Sequence, residues 1–270
     1  MSVDRYIFIT GGASGIGRAV ARYFGERGWF VGLADINEPR MRETAAMIPE
    51  GRSSIHMLDV RSREQWQRAL AEFGEHSGGK LHVLFNNAGV GIGGLLEEHS
   101  ADDIEKLVDI NFKGVVHGAH VGHAMLKATE GSCLLNTSSA AGIYGSSGLS
   151  VYSATKFAVR GLSEALDVEW GPDDIRVRAL MPSFIDTPLL DGPITNSNES
   201  SRDNVIKAGL EISPVEIVAE AAWQAVHEPK KVHSYVGPTA RKLAFAAKWM
   251  PGSIRKRGRL LAQQRRDERG

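Results

Sequence analysis

Short apolar runs alternate with longer amphipathic stretches through the first 240 residues of this chain. The runs Tyr6–Thr10, Phe30–Asp35, Ser54–Leu58, Leu81–Asn86, Ser132–Asn136, Arg176–Met181 and Val232–Val236 are short, mostly apolar and bounded by turn residues, and they read as strands. Between them, apolar positions recur at helical spacing over Gly15–Gly28, Glu38–Met47, Arg63–Phe73, Ala101–Lys127, Tyr152–Trp170 and Pro214–Val226. Continuous apolar strands alternating with helices predict a parallel sheet covered on both faces. That is a three-layer, doubly wound α/β fold of the Rossmann type. No internal repeat or low-complexity linker divides the chain, so residues 1–240 are expected to form a single domain.

Two segments break the rhythm. Residues 183–213 carry two prolines and the polar run NSNESS without a clear period, and a lid over a ligand fits their place after a strand end. Residues 241–270 form an extension with ten basic and two acidic residues, apolar at Leu243, Phe245, Trp249 and Met250 and interrupted by Pro251 and Gly252. It reads as a solvated basic helix, or as one that docks on the body, on a partner subunit or on an anionic membrane surface.

Composition narrows the function. The 32 basic and 32 acidic residues cancel, which argues against a nucleic-acid partner. The single cysteine, Cys133, sits in an apolar run and is expected to be a small core residue in a reducing compartment. With no signal-like apolar segment at the N-terminus and no membrane-length apolar run, the expectation is a cytoplasmic protein.

The chemistry concentrates at Ser139–Lys156. Tyr152 and Lys156 are four apart on a helical stretch, so phenol and ammonium share one face. At a separation of about 5 Å and an effective dielectric of about 20, the ammonium is expected to draw the phenol from its ordinary ~10 toward about 8, a useful range for proton transfer. Ser139 follows the apolar run at 132–136, where a loop can return its hydroxyl to the phenol and hold a substrate oxygen there.

Thr10–Gly17 reads TGGASGIG and joins the first strand to the first helix. Its glycines allow close approach of a pyrophosphate to the helix N-terminus, so Gly11, Ser14, Gly15, Ile16 and Gly17 are candidate contacts. Asp35 closes the second strand, where a carboxylate can accept both ribose hydroxyls of an adenosine and repel a 2′-phosphate, favouring NAD over NADP. Arg40 and Arg42 are close in sequence and could blunt that preference, although a helix is expected to point them elsewhere. Asp59 and Val60 end the third strand beside a candidate adenine site. Asn86 and Asn87 end the fourth, one ordering backbone and the other, Asn87, facing the ligand.

Taken together these residues resemble the short-chain dehydrogenase/reductases in their single-domain branch. The matching pieces are TGGASGIG at 10–17, Asp35, DV at 59–60, NNAG at 86–89, Asn111, Ser139, YSATK at 152–156 and MPSFIDTP at 181–188, in the family's order. The resemblance implies a nicotinamide-dependent oxidoreductase, usually a homodimer or homotetramer. It implies Tyr152 as the acid/base, Lys156 as the residue that lowers its pKa and holds the nicotinamide ribose, and Ser139 as the one that orients the substrate oxygen. It further implies Asn111 in a water-linked proton path, and Ile185 and Thr187 at the nicotinamide carboxamide. Ser183 departs from the family's usual glycine after Pro182.

The expected reaction is hydride transfer between NAD and a secondary alcohol or ketone. Val90–Leu96, Ile143–Leu149 and Phe184–Leu190 are the expected substrate walls, mostly glycine and apolar, which suggests a neutral, lipophilic small molecule. Two rivals remain: an NADPH-dependent ketoreductase and a non-catalytic dinucleotide sensor. His117, His120 and His123 lie three apart on a long helix, but no cysteine or carboxylate completes a ligand set, and no metal is expected.

Overall fold

The computed structural model describes residues 5–192, 194–195 and 199–267; the side chains at 261 and 264–267 lie outside that description. The expectations at 1–4, at Pro193 and at 196–198 of the polar run fall outside the described residues, as do 268–270.

Seven strands form one parallel sheet: β1 (Tyr6–Thr10), β2 (Phe30–Asp35), β3 (Ser53–Met57), β4 (Val83–Asn86), β5 (Cys133–Thr137), β6 (Arg176–Pro182) and β7 (His233–Val236). Their spatial order is β3-β2-β1-β4-β5-β6-β7. The order reverses between β1 and β4, and the carboxyl ends on either side of that point splay into a crevice.

The strands are apolar on both faces because both faces are covered. Along β1, Ile7 and Ile9 join one core with Val20, Phe24 and Ala222, whereas Phe8 between them joins the other with Trp66, Phe73 and Leu84. The first core lies under α1 (Gly15–Gly25) and α8 (Glu216–His227); the second lies under α3 (Arg63–Ser77), α5 (Gly114–Lys127) and α6 (Ser150–Glu169). Helix α2 (Glu38–Ala45) lies beside the β2 and β3 edge and contributes Met41 to the first core.

Three features differ from the sequence expectation. The long helix expected over 101–127 is α4 (Ala101–Val108) and α5 joined by a π turn at Asp109–Lys113, which carries Asn111. Residues 183–213 contain a 3-10 turn at Pro188–Asp191 and a short helix, α7 (Ser201–Lys207), opened by a capping box between Ser200 and Asp203. The basic extension is two helices, α9 (Pro238–Trp249) and α10 (Pro251–Asp267). Helix α9 starts before residue 241 and docks on the body: Ala240, Leu243, Ala244 and Ala247 pack with Ile143 and Met181.

The histidines on α5 do not converge. His117 Nδ1 lies 3.4 Å from the Val60 carbonyl, while His123 pairs with Asp173 at 3.3 Å and lies against Trp170. The interleaved Gly118 is there for close packing, since a Cβ would fall 2.3 Å from Asn86 Oδ1. No described helix is long and apolar enough to cross a membrane.

His56 on β3 is buried between the Phe8 and Phe73 rings, with Nε2 2.7 Å from Ser54 Oγ and Nδ1 3.5 Å from the Glu72 carboxylate. Burial holds its pKa below the ordinary value, although Glu72 opposes this. The unfolded chain therefore binds the proton more tightly, so this contribution is complete above the ordinary histidine range and is lost as pH falls through it. Urea midpoints measured downward from neutral pH should decline below about 6.5, and His56→Gln should flatten that slope.

Candidate active site

The carboxyl ends of β1, β2, β4, β5 and β6 border a cleft of about 790 Å³. Gly11, Ser14, Gly15, Ile16, Asp35, Asp59, Val60 and Asn87 line it together with Ser139, Tyr152, Lys156, Ile185 and Thr187. Of the expected site residues, Gly17 and Asn111 are the two outside this lining. Gly17 lies beneath the glycine turn, where a Cβ would sit 2.1 Å from the Gly11 carbonyl oxygen. Gly11 has φ of 68°, and its own Cβ would meet Asn87 Nδ2 at 2.9 Å. The turn is thus backbone against backbone, opening directly into the N-terminus of α1.

Asp35 ends β2 with its carboxylate held by backbone donors: Oδ2 accepts from Ala13 N at 3.3 Å and Oδ1 from Asn37 N at 3.0 Å. Each oxygen keeps a lone pair for a further donor. Of the arginines near this end of β2, Arg40 is exposed and only its backbone is bonded among the described residues, its N donating to Asn37 Oδ1 at 3.1 Å. Arg18 donates to Ala13 O and Thr44 Oγ1 and pairs with Glu43, while Arg42 pairs with Glu38. Asp59 is clamped by Arg61, whose hydrogen bonds hold its carboxyl below the usual range. Apolar Ile36, 70% exposed, stands on the rim beside Leu58 and Ile110, a set to which the sequence pointed only at Val60.

The paired asparagines point in different directions. Asn86 is buried and donates to Val115 O and Asn136 Oδ1, tying β4 to α5 and β5. Asn87 lines the cleft and crosses to β1, where its Nδ2 donates to Thr10 O; its Oδ1 accepts from Thr137 Oγ1. Asn111, fully buried in the π turn, accepts from Val90 N at 2.8 Å and donates to Val90 O at 2.9 Å. A Cβ on Gly89 would lie 3.2 Å from Asn111 Oδ1 and 3.6 Å from Lys156 Nζ, so amide and ammonium flank the same glycine.

Ser139, Tyr152 and Lys156 meet at the β5 end. Ser139 caps a 3-10 turn at Ala140–Gly142, its Oγ accepting from Ala141 N. Lys156 is 4% exposed and donates from Nζ to the Thr137 carbonyl at 2.9 Å. Burial pulls its pKa down to about 8. Tyr152 departs from expectation: burial raises its pKa, and the hydrogen bond from Ser139 is what opposes the rise. Lys156 Nζ is 5.6 Å from the centre of the phenol ring and is turned toward Thr137, so desolvation of the phenolate outweighs its attraction. Ser138 went unrecognised in the sequence. Its buried Oγ donates to the Lys156 carbonyl at 2.8 Å, fixing α6 against β5. The Ser-Ser pair at 138–139 was the available signal.

Ser183 keeps the departure from the family pattern harmless to the backbone. Its N donates to Val236 O at 3.1 Å, and its Oγ occupies the space over Gly237, where a Cβ would come within 2.5 Å. Ile185 and Asp186 bridge to Ser213, while Arg202 of α7 donates to Asp186 at 2.8 Å, to Asp191 at 2.6 Å and to Thr187 O at 3.4 Å. Thr195 N donates to Gly93 O and Gly94 N to Gly148 O, so the segments around 93, 148 and 195 are laced together. Val90, Gly91, Ile92, Leu189 and Leu190 line this side of the cleft, whereas Ile143, expected there, is buried under α9. Asp103 and Lys106, one turn apart on α4, also line the cleft and were not anticipated.

These residues fit a dinucleotide: a glycine cradle with no room for Cβ atoms, a helix N-terminus behind it, and a carboxylate at the end of β2. Asn111→Ala should strand the buried Val90 amide and carbonyl. It should cost about 1–3 kcal/mol, read as a lower urea midpoint at unchanged slope.

Comparison with known proteins agrees with this geometry. Residues 5–197 match the family model described as short chain dehydrogenase. The chain is 32% identical over 222 residues to meso-2,3-butanediol dehydrogenase of Serratia marcescens, covering 82% of this chain and 87% of that protein. It is 33% identical over 189 residues to a 3-alpha-(or 20-beta)-hydroxysteroid dehydrogenase of Mycobacterium tuberculosis, covering 70% and 72%. A short chain dehydrogenase/reductase from Burkholderia phymatum, solved in complex with NAD, superposes with a TM-score of 0.80 at 28% identity, covering 95% of this chain and 96% of that one. Sequence match, strand order and cleft converge, and the chain belongs to the short-chain dehydrogenase/reductase family of nicotinamide-dependent oxidoreductases.

Proposed function

We propose that this protein transfers a hydride between NAD and a neutral, lipophilic secondary alcohol or its ketone. The observation that carries the reading is the meeting of Ser139, Tyr152 and Lys156 at one end of a cleft whose other end holds the Asp35 carboxylate. NAD, when bound, supplies a nicotinamide that accepts a hydride from the alcohol carbon or returns it to the ketone.

The chain's own residues supply the proton chemistry. Ser139 binds the substrate oxygen and orients it toward the phenol. Tyr152, as phenolate, takes the hydroxyl proton while the carbon gives up its hydride; in reverse, the phenol protonates the developing alkoxide at oxygen. The phenol's pKa is raised by burial, so the phenolate forms only with positive charge beside it. Lys156 is the buried cation available, and its own pKa near 8 leaves it protonated at neutral pH. Asn111 holds the Val90 backbone beside Lys156, the position from which a water-linked path to the ammonium would start. Gly11, Ser14, Gly15, Ile16, Gly17, Asp59, Val60, Asn87, Ile185 and Thr187 are assigned to the cofactor.

Preference for NAD rests on Asp35, because a 2′-phosphate within about 4 Å of that carboxylate is disfavoured by several kcal/mol at an effective dielectric near 20. Arg18, one guanidinium that could offset this, is committed to Glu43 and Thr44. The substrate reading rests on Val90, Ile92, Leu189 and Leu190, with Lys106 balanced by Asp103 on the same face. The activities named for the two similar dehydrogenases, on a diol and on steroids, support a secondary alcohol as substrate. Assembly as a homodimer or homotetramer is part of the same proposal.

NADH formation across secondary alcohols graded from short diols to steroids tests the assignment. Tyr152→Phe should lower turnover by about 10²–10⁴-fold while NADH binding, read by fluorescence, persists; strong residual turnover would refute the role. Paired titrations should favour NAD over NADP by about a hundredfold or more in kcat/KM, and Asp35→Ala should narrow that ratio. Binding of NADH without turnover of any alcohol or ketone would instead identify a dinucleotide sensor.

A further inference from the structure

No acidic residue occurs between Glu228 and Asp267. Twelve of the 32 basic and two of the 32 acidic residues lie beyond Glu228, so this end carries ten more cations than anions. The preceding 228 residues carry ten more anions than cations. The neutral total therefore conceals a strongly divided molecule.

The division has a structural counterpart in α9. One face of that helix is committed to the body through Ala240, Leu243, Ala244 and Ala247. The other face is exposed and consists of Arg241, Lys242, Phe245, Lys248, Trp249 and Met250. Phe245 is 61% exposed, Trp249 64% and Met250 47%. Phe245 and Trp249, four apart, form one apolar ridge, and every charged side chain beside it is a cation. Lys248 Nζ lies 5.1 Å from the Trp249 ring centre. In α10 the exposed Arg255, Lys256, Arg257 and Arg259 extend the positive surface, with Leu260 56% exposed among them.

A compact protein partner would need only the apolar ridge. It would not explain cations alone over nearly forty residues. An extended anionic surface with an apolar interior satisfies both features: aromatic side chains enter the acyl boundary while lysine and arginine meet the headgroups. We propose that the exposed face of α9, continued by the basic turns of α10, docks the protein on an anionic phospholipid bilayer.

The placement gives the docking a use. Helix α9 begins just after β7 at the carboxyl edge of the sheet and packs on the Ala140–Gly142 turn that Ser139 caps. A bilayer held at α9 would be one helix away from the turn that Ser139 caps, where a lipophilic alcohol could pass from membrane to site. That use rests on the proposed substrate class; the docking itself does not, and it is measured without turnover.

The test is flotation of the full chain with vesicles of phosphatidylcholine alone and with increasing phosphatidylglycerol. Wild type should float only with the anionic lipid, be released by high salt, and show a blue shift in tryptophan emission that Trp249→Ser diminishes. Lys248→Gln and Arg255→Gln should each lower partitioning about fivefold. Phe245→Ser combined with Trp249→Ser should lower it about tenfold or more at unchanged circular dichroism, both positions being exposed. Failure of wild type to bind phosphatidylglycerol vesicles at low salt would overturn the proposal. So would unaltered binding of the double variant. A drop in sedimenting mass for that variant, with no vesicle binding by wild type, would assign the face to a second copy of the chain instead.

Discussion

A buried ammonium sets the terms for the centre of this molecule. Lys156 is almost wholly removed from water, and a cation in that position persists only where carbonyls and amides are already aimed at it. Thr137 supplies the carbonyl, from the end of β5. Ser138 grips the Lys156 carbonyl so that α6 cannot slide along the strand, and Gly142 makes room because its hydrogen faces that same carbonyl oxygen, where a Cβ would lie at 2.7 Å. The phenol of Tyr152, one turn earlier on α6, inherits its place from this arrangement. Fixing the lysine fixes the tyrosine.

The rest of the site follows from the crevice between β1 and β4. Two adjacent asparagines there face in different directions because neighbouring residues at a strand end do so. Asn86 turns inward and binds α5 and β5, while Asn87 turns to the cleft and binds β1. Asn111 does comparable work from the π turn, whose extra residue turns one helical side chain out of register and onto the Val90 backbone. Asn87 and Asn111 each donate and accept at once, which an amide supplies from a single side chain, whereas Asn86 serves as a double donor.

Much of this was legible in the sequence, for identifiable reasons. The strands were visible because a sheet covered on both faces tolerates few polar residues, and the glycine turn because close backbone contact leaves no alternative to glycine at Gly17. Helix α7 was hidden because its signal is a capping box within a polar run rather than an apolar period. Helix α9 was underestimated because much of its buried stripe is alanine, which gives little hydrophobic contrast. The expectation for the Tyr152 phenol erred in kind. Spacing reports who is near whom, but the loss of hydration on burial depends on everything packed around the phenol, and that information is not local.

Arg202 illustrates how one side chain can change the mechanics of a segment. Its guanidinium touches Asp186, Thr187 and Asp191 together, two by charge and one through a backbone carbonyl. The stretch between them cannot unravel from one end while staying fastened at the other, since all three attachments share a single planar group. It is stiffened into a plate. Ile185, Thr187, Leu189 and Leu190 of this segment line the cleft, so one side chain of α7 fastens a whole side of it. Loss of that one guanidinium would release this side of the cleft at three points together.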